Sequence, residues 1–86
     1  MDINKLIAII KKKITEEILI ENIKIEDKSF IHKNHPGNQK GKFHLKITIK
    51  SYELASLDRI KSNQKIHKIL EEEIRDHIHS IQILVL

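Results

Sequence analysis

No cysteine occurs among the 86 residues. Its absence excludes a disulfide framework and any metal site built on the chain's own thiolates, and it fits a reducing compartment. Aromatic residues make up 3 % of the chain and tryptophan is absent, so no platform for stacking bases is present. No phosphate-binding glycine motif occurs, and no serine or acidic pair stands at a catalytic spacing. An enzyme is therefore the class least supported. The longest apolar stretches, Leu6–Ile10 and Ile81–Leu86, are far too short to span a bilayer. Asp2 lies early and the lysine run follows the first apolar stretch, the wrong order for a secretory signal. A cytoplasmic location with no membrane partner is the expectation.

What is present suits one small soluble domain over residues 1–86. Hydrophobic residues are 40 % and charged residues 33 %. A chain of this length buries roughly 60–65 % of its unfolded surface, enough for one thin core. Sixteen basic against twelve acidic side chains give a net charge of +4. Such a field favours acidic partners, nucleic acid among them, although the same charge also serves solubility.

Asp2 is placed to cap a helix. Ile3, Leu6, Ile7, Ile10 and Ile14 then fall at helical spacing, with Lys11, Lys12 and Lys13 mostly off the stripe as a solvated face. The helix is expected to end near Ile18. From Glu21 to Lys28 the period changes to two, with Ile23 and Ile25 on one face. Leu45, Ile47 and Ile49 later alternate with His44, Lys46, Thr48 and Lys50, the pattern of a half-buried strand. The two strands most simply pair as an antiparallel hairpin. Ser51 to Ser56 reads as a turn region. A helix from about Leu57 to Arg75 follows, with Leu57, Ile60, Ile66, Ile69, Leu70 and Ile74 inward. Ser62-Asn63-Gln64 interrupts it, and Ser62 or Asn63 is the expected cap of a fresh start. Asp76 to His79 forms the exit, and Ser80 to Leu86 a buried strand. The α-β-β-α-β order predicts an α+β sandwich: a three-stranded mixed sheet with helices on one face, its last strand parallel to a neighbour.

The stretch from Asp27 to Leu45 holds both glycines, the only proline and three of the six histidines. Its connection of about 15 residues is far longer than the usual hairpin loop, and such loops are usually functional or disordered. The common role of a loop histidine is a solvated side chain. Zinc would accept imidazoles, but three histidines here lack a standard zinc spacing. His67 and His77 read as surface residues, and His79 as a strand-entry residue.

Several motifs resemble the BolA-like family. That family's pattern opens with Asp-x-Ser at the end of the first strand, then a histidine and often a second three residues on; here these are Asp27, Ser29, His32 and His35. Its second strand opens His-Phe with a serine shortly after, matched by His44, Leu45 and Ser51. Its last strand is introduced by Ile-His-Ala-Leu, matched by Ile78-His79-Ser80-Ile81. Glu72 and Glu73 stand where the family closes its second helix with Glu-Glu-Leu. The chain departs where the family has Arg-His-Arg, since Ser62-Asn63-Gln64 stand there, and Leu54-Ala55-Ser56 replaces Phe-x-Gly.

The resemblance implies a class II KH-like fold. It also implies an adaptor, monomeric alone, that partners a monothiol glutaredoxin and shares a [2Fe–2S] cluster with it in iron–sulfur trafficking or iron regulation. The glutaredoxin cysteine and glutathione would supply thiolates, and this chain imidazoles: His32 and His79 by position, with His35 a second loop candidate and His44 behind them. Imidazole can replace thiolate on one iron, as in Rieske centres. The alternative the resemblance implies is a KH-like nucleic-acid-binding transcriptional regulator. KH domains clamp the backbone with a Gly-x-x-Gly loop, and Leu54-Ala55-Ser56-Leu57 has no glycine at that turn. Lys40, Lys42, Lys46 and Lys50 (with Lys33) would then give salt-sensitive binding.

Overall fold

The computed structural model of the chain describes residues 2–29 and 42–86. Helix α1 spans Ile3–Glu17, with the Asp2 carboxylate accepting from the Lys5 N–H at 2.9 Å. Strands β1 (Asn22–Asp27) and β2 (Phe43–Lys50) follow, then α2 (Tyr52–Ala55), α3 (Arg59–Ile69), α4 (Glu71–Asp76) and β3 (Ile78–Val85). The sheet order is β1-β2-β3, with β1 antiparallel and β3 parallel to the central β2. This is the expected α+β architecture, with the second helical segment broken into three.

The period-two pattern builds the core. Ile23 pairs with Ile49, Ile25 with Ile47, Leu45 with Ile81, and Ile47 with Ile83. All point to one face, where Leu45, Ile47 and Ile49 join Leu6, Ile10 and Ile14 of α1 and Leu54, Ile66 and Leu70 of the later helices in a buried cluster, with Ile23, Ile25, Ile81 and Ile83 half-buried against it. Burial of apolar side chains at about 25 cal/mol per Å² is what holds so small a sheet against its helices.

The segment after β2 departs from expectation in three places. The stretch expected as a turn contains the helical turn α2, capped by Ser51, whose Oγ accepts from the Leu54 N–H at 3.1 Å and donates to the Leu19 carbonyl at 2.8 Å. Helix α3 begins at Arg59, because Asp58 accepts from the Lys61 N–H at 2.8 Å and outcompetes Ser62 and Asn63 for the cap. Ser62 is instead buried within the helix, donating to the Arg59 carbonyl. Moving the start also turns Ile60 outward, 70 % exposed, although it was expected inside. The last strand begins at Ile78, so His79 lies within β3 and not before it. That strand is half-buried and not fully buried: Gln82 and Leu84 face solvent in alternation with Ile81, Ile83 and Val85.

Lys13 is not part of a free solvated face. Its ammonium donates to both oxygens of the buried Glu73 at 2.9 and 2.7 Å, tying α1 to α4. The Glu73 carboxylate holds the Lys13 ammonium above its usual value. No helix among the described residues is long and apolar enough to cross a membrane.

Candidate functional site

The helix-free face of the sheet carries the site. Pairing between β2 and β3 slips by one residue: Phe43 faces Ile78, but His44 faces Ser80. His79 is the extra residue, and β3 bulges there. A bulge re-aims side chains. Ile78 remains in the core at 3 % exposure, while His79 and Ser80 both turn away from it.

His44 lies between them. Its Nδ1 sits 2.7 Å from the Ser80 Oγ, and its Nε2 sits 3.2 Å from Nδ1 of His79. The two imidazoles meet edge to face, with centroids 4.8 Å apart and planes at 90°. Alternation along β2 put His44 on the solvent side, yet it is only 4 % exposed. Its backbone is anchored as well. The His44 N–H donates to the Ser29 Oγ at 3.1 Å, and its carbonyl accepts from the Lys28 N–H at 2.7 Å. Ser29 is in turn set by Asp27, whose carboxylate accepts the Ser29 N–H at 2.9 Å. The Asp27-x-Ser29 motif thus acts on His44, a connection the sequence left unassigned.

His79 is itself an exposed residue. With Nδ1 engaged by His44, Nε2 is the nitrogen directed away from the pair. Among the described residues no group of three or more histidine and carboxylate side chains gathers around a common point. His79 stands as a single exposed imidazole, with His44 and Ser80 bonded in sequence behind it. His32, His35 and Lys40 lie outside the described residues. His67 is exposed on α3, and His77, which caps α4 and donates its N–H to the Glu73 carbonyl, is half-buried; neither joins the pair.

Of the lysines singled out for anion binding, Lys46 and Lys50 share the helix-free face, and Lys42 is engaged elsewhere. Lys42 donates to the Arg75 carbonyl at 3.2 Å. Lys46, half-buried, lies across from Glu26, while Lys50 is exposed at the end of β2, across from Asn22. Lys24 and Lys28 approach the Glu26 carboxylate at 3.9 and 3.0 Å, and the Lys28 contact chiefly holds that carboxyl below its usual value. The face is positive with an acidic residue at its middle.

The sequence model of the family described as "BolA-like protein" matches residues 14–86. This chain belongs to the BolA-like family. Its similarity to a Haemophilus influenzae protein named DNA-binding transcriptional regulator BolA is 28 % identity over 75 residues, covering 87 % of this chain and 70 % of the relative. The Vibrio cholerae protein of the same name is also 28 % identical over 75 residues, covering 87 % and 68 %. These BolA relatives are named as regulators and not as enzymes. In fold, the chain is similar to the BolA domain of SufE1 from Arabidopsis thaliana, with a TM-score of 0.75 at 22 % identity over 91 % of this chain and 86 % of that one. BolA1 from the same plant gives 0.74 at 20 % identity, with the same coverage.

Proposed function

We propose that this BolA-like chain is an adaptor that binds a monothiol glutaredoxin and contributes His79, with His32 from the loop, to a shared [2Fe–2S] cluster. The observation that carries the reading is the exposed His79 at a bulge, its Nδ1 engaged by a buried partner, which leaves Nε2 as the ring nitrogen that bond does not use. Metal-ligating histidines typically donate their second ring N–H to a fixed neighbour, and His44 stands where such a neighbour would. The donor set fits the group in part. A chain without cysteine has imidazole as its nitrogen donor, and His79 fills one position; the family resemblance assigns a second to His32, with His35 as the substitute. When bound, the cluster supplies iron centres whose potential rises with imidazole ligation. The chain's own task is to present nitrogen donors and to dock on its partner.

The test is anaerobic cluster reconstitution with a monothiol glutaredoxin and glutathione, followed by visible circular dichroism. A spectrum distinct from that of the glutaredoxin homodimer, and lost in His79→Ala, is expected. An unchanged homodimer spectrum, with no complex on size exclusion, would overturn the reading.

The second reading is binding to DNA, favoured by the name of the two bacterial relatives and by Lys24, Lys46 and Lys50 on the helix-free face. It expects affinity that falls steeply with salt, each lysine–phosphate contact adding about 0.9 to the slope of log affinity against log salt. Replacing Lys50 with alanine should reduce that slope by about 1. Absence of any DNA complex at low salt would eliminate it.

A further inference from the structure

The bonds from Ser80 to His44 to His79 form one chain: Ser80 Oγ to His44 Nδ1 at 2.7 Å, then His44 Nε2 to His79 Nδ1 at 3.2 Å. A neutral imidazole carries a single proton and has one donor and one acceptor nitrogen. The chain therefore has two polarities. If Ser80 donates to His44 Nδ1, then His44 Nε2 donates to His79 Nδ1, and the outward Nε2 of His79 carries the proton and cannot bind a metal. If His44 Nδ1–H donates to Ser80, then His44 Nε2 accepts from His79 Nδ1–H, and the outward nitrogen keeps its lone pair.

We propose that His44 is a positioning residue that holds His79 in the second polarity, with Nε2 unprotonated and facing outward. The inference rests on the reading of His79 as a ligand and names the group that prepares it. An imidazole free in water favours the opposite tautomer, with the proton on Nε2, so a fixed acceptor at Nδ1 changes which nitrogen is available. In the second polarity His44 supplies such an acceptor at Nε2. It is 4 % exposed, its backbone is bonded to Ser29 and Lys28, and its far nitrogen is bonded to Ser80. A surface water at the same position would have none of these restraints. The bulge completes the arrangement by giving β3 two consecutive residues turned away from the core, one on each nitrogen of His44.

The tautomer is read directly by two-bond ¹H–¹⁵N correlation spectra of the full chain alone, at a pH where both rings are neutral. His79 is expected with protonated Nδ1 and unprotonated Nε2. His44→Phe, which keeps a ring but removes the acceptor, should shift His79 toward the Nε2–H form, and His44→Gln, whose amide oxygen can accept, should restore it. Ser80→Ala changes an exposed residue and keeps the test decisive if His44→Phe does not fold; it should move His79 toward a mixture of tautomers. A His79 ring found as Nε2–H in the parent chain, or unchanged in the folded variants, overturns the proposal. In the reconstituted complex, His44→Phe is expected to weaken cluster retention by about 10–100-fold. His79→Ala is the separate arm: if it leaves the complex unchanged, the ligand reading fails, whatever the tautomer of the free chain.

Discussion

Individual residues here divide into those that hold the fold and those that only face outward. Ser51 belongs to the first group. It is 1 % exposed, and its hydroxyl serves two partners at once, the Leu54 N–H and the Leu19 carbonyl, so that the end of β2, the first turn of α2 and the stretch after α1 meet on one oxygen. Ser51→Ala leaves both groups without that partner and is expected to cost about 1–3 kcal/mol, read as a lower urea midpoint at constant slope. His79 stands between the two groups, exposed itself but bonded through Nδ1 to the buried His44. His79→Ala removes one hydrogen bond to the buried His44 and is expected to cost about 0.5–1.5 kcal/mol, read in the same urea titration so that its effect on any complex is separated from folding. The residues of this site were only half legible beforehand. His79 stood out through its motif, whereas His44 looked like an outward strand residue because alternation alone says nothing of what covers a face. Its burial and its two nitrogen partners depend on a register slip in β3, which no local pattern encodes.

Among the elements, the first two strands were read from sequence nearly to the residue because Ile and Leu alternate cleanly along them, whereas the last begins two residues earlier than expected and is half-buried. The segment from 51 to 76 was not. Three short helices there share one long apolar pattern, and the boundaries are set by caps that compete: Ser51 for α2, Asp58 for α3 and the break at Leu70 before α4. A charged carboxylate one turn upstream of Ser62 takes the capping role that Ser62-Asn63 was expected to fill. Asp58→Ala is therefore expected to cost about 1 kcal/mol. Ile60→Ala, which would be severe if Ile60 packed inward, should stay within about 0.5 kcal/mol because the residue is 70 % exposed. Thermal melts of the two variants side by side check where the helix begins.

At the level of the whole molecule, long-range ion pairs join the layers that the thin core brings together. Glu53 accepts from Lys65 at 2.9 Å and from the Leu19 N–H at 3.4 Å, linking α2 to α3 and to the stretch after α1. The Lys65 contact first, and the backbone N–H second, lower its carboxyl from the ordinary 4.5. Lys28 does the same for Glu26. A carboxyl lowered on folding contributes stability that is complete above its unfolded value and is lost as pH falls through the folded one. Stability should therefore be level from neutral pH down to about 4.5 as far as these groups go, and then decline on further acidification. Glu53→Gln should flatten part of that decline in urea titrations. Lys13 works in the opposite direction: raised above 10.5 by Glu73, it contributes below that value and is lost only as pH climbs past its folded value. The bulge at His79 has its own consequence at this scale. Because His79 lies outside the ladder, Ile81, Ile83 and Val85 keep their places against Leu45, Ile47 and Ile49 whatever stands at position 79. Deleting that single residue would restore regular pairing without turning one core side chain outward, whereas an insertion a few positions later would invert them all. Lineages can thus exchange or discard the residue at the bulge by a single genetic step while the hydrophobic interior is inherited unchanged.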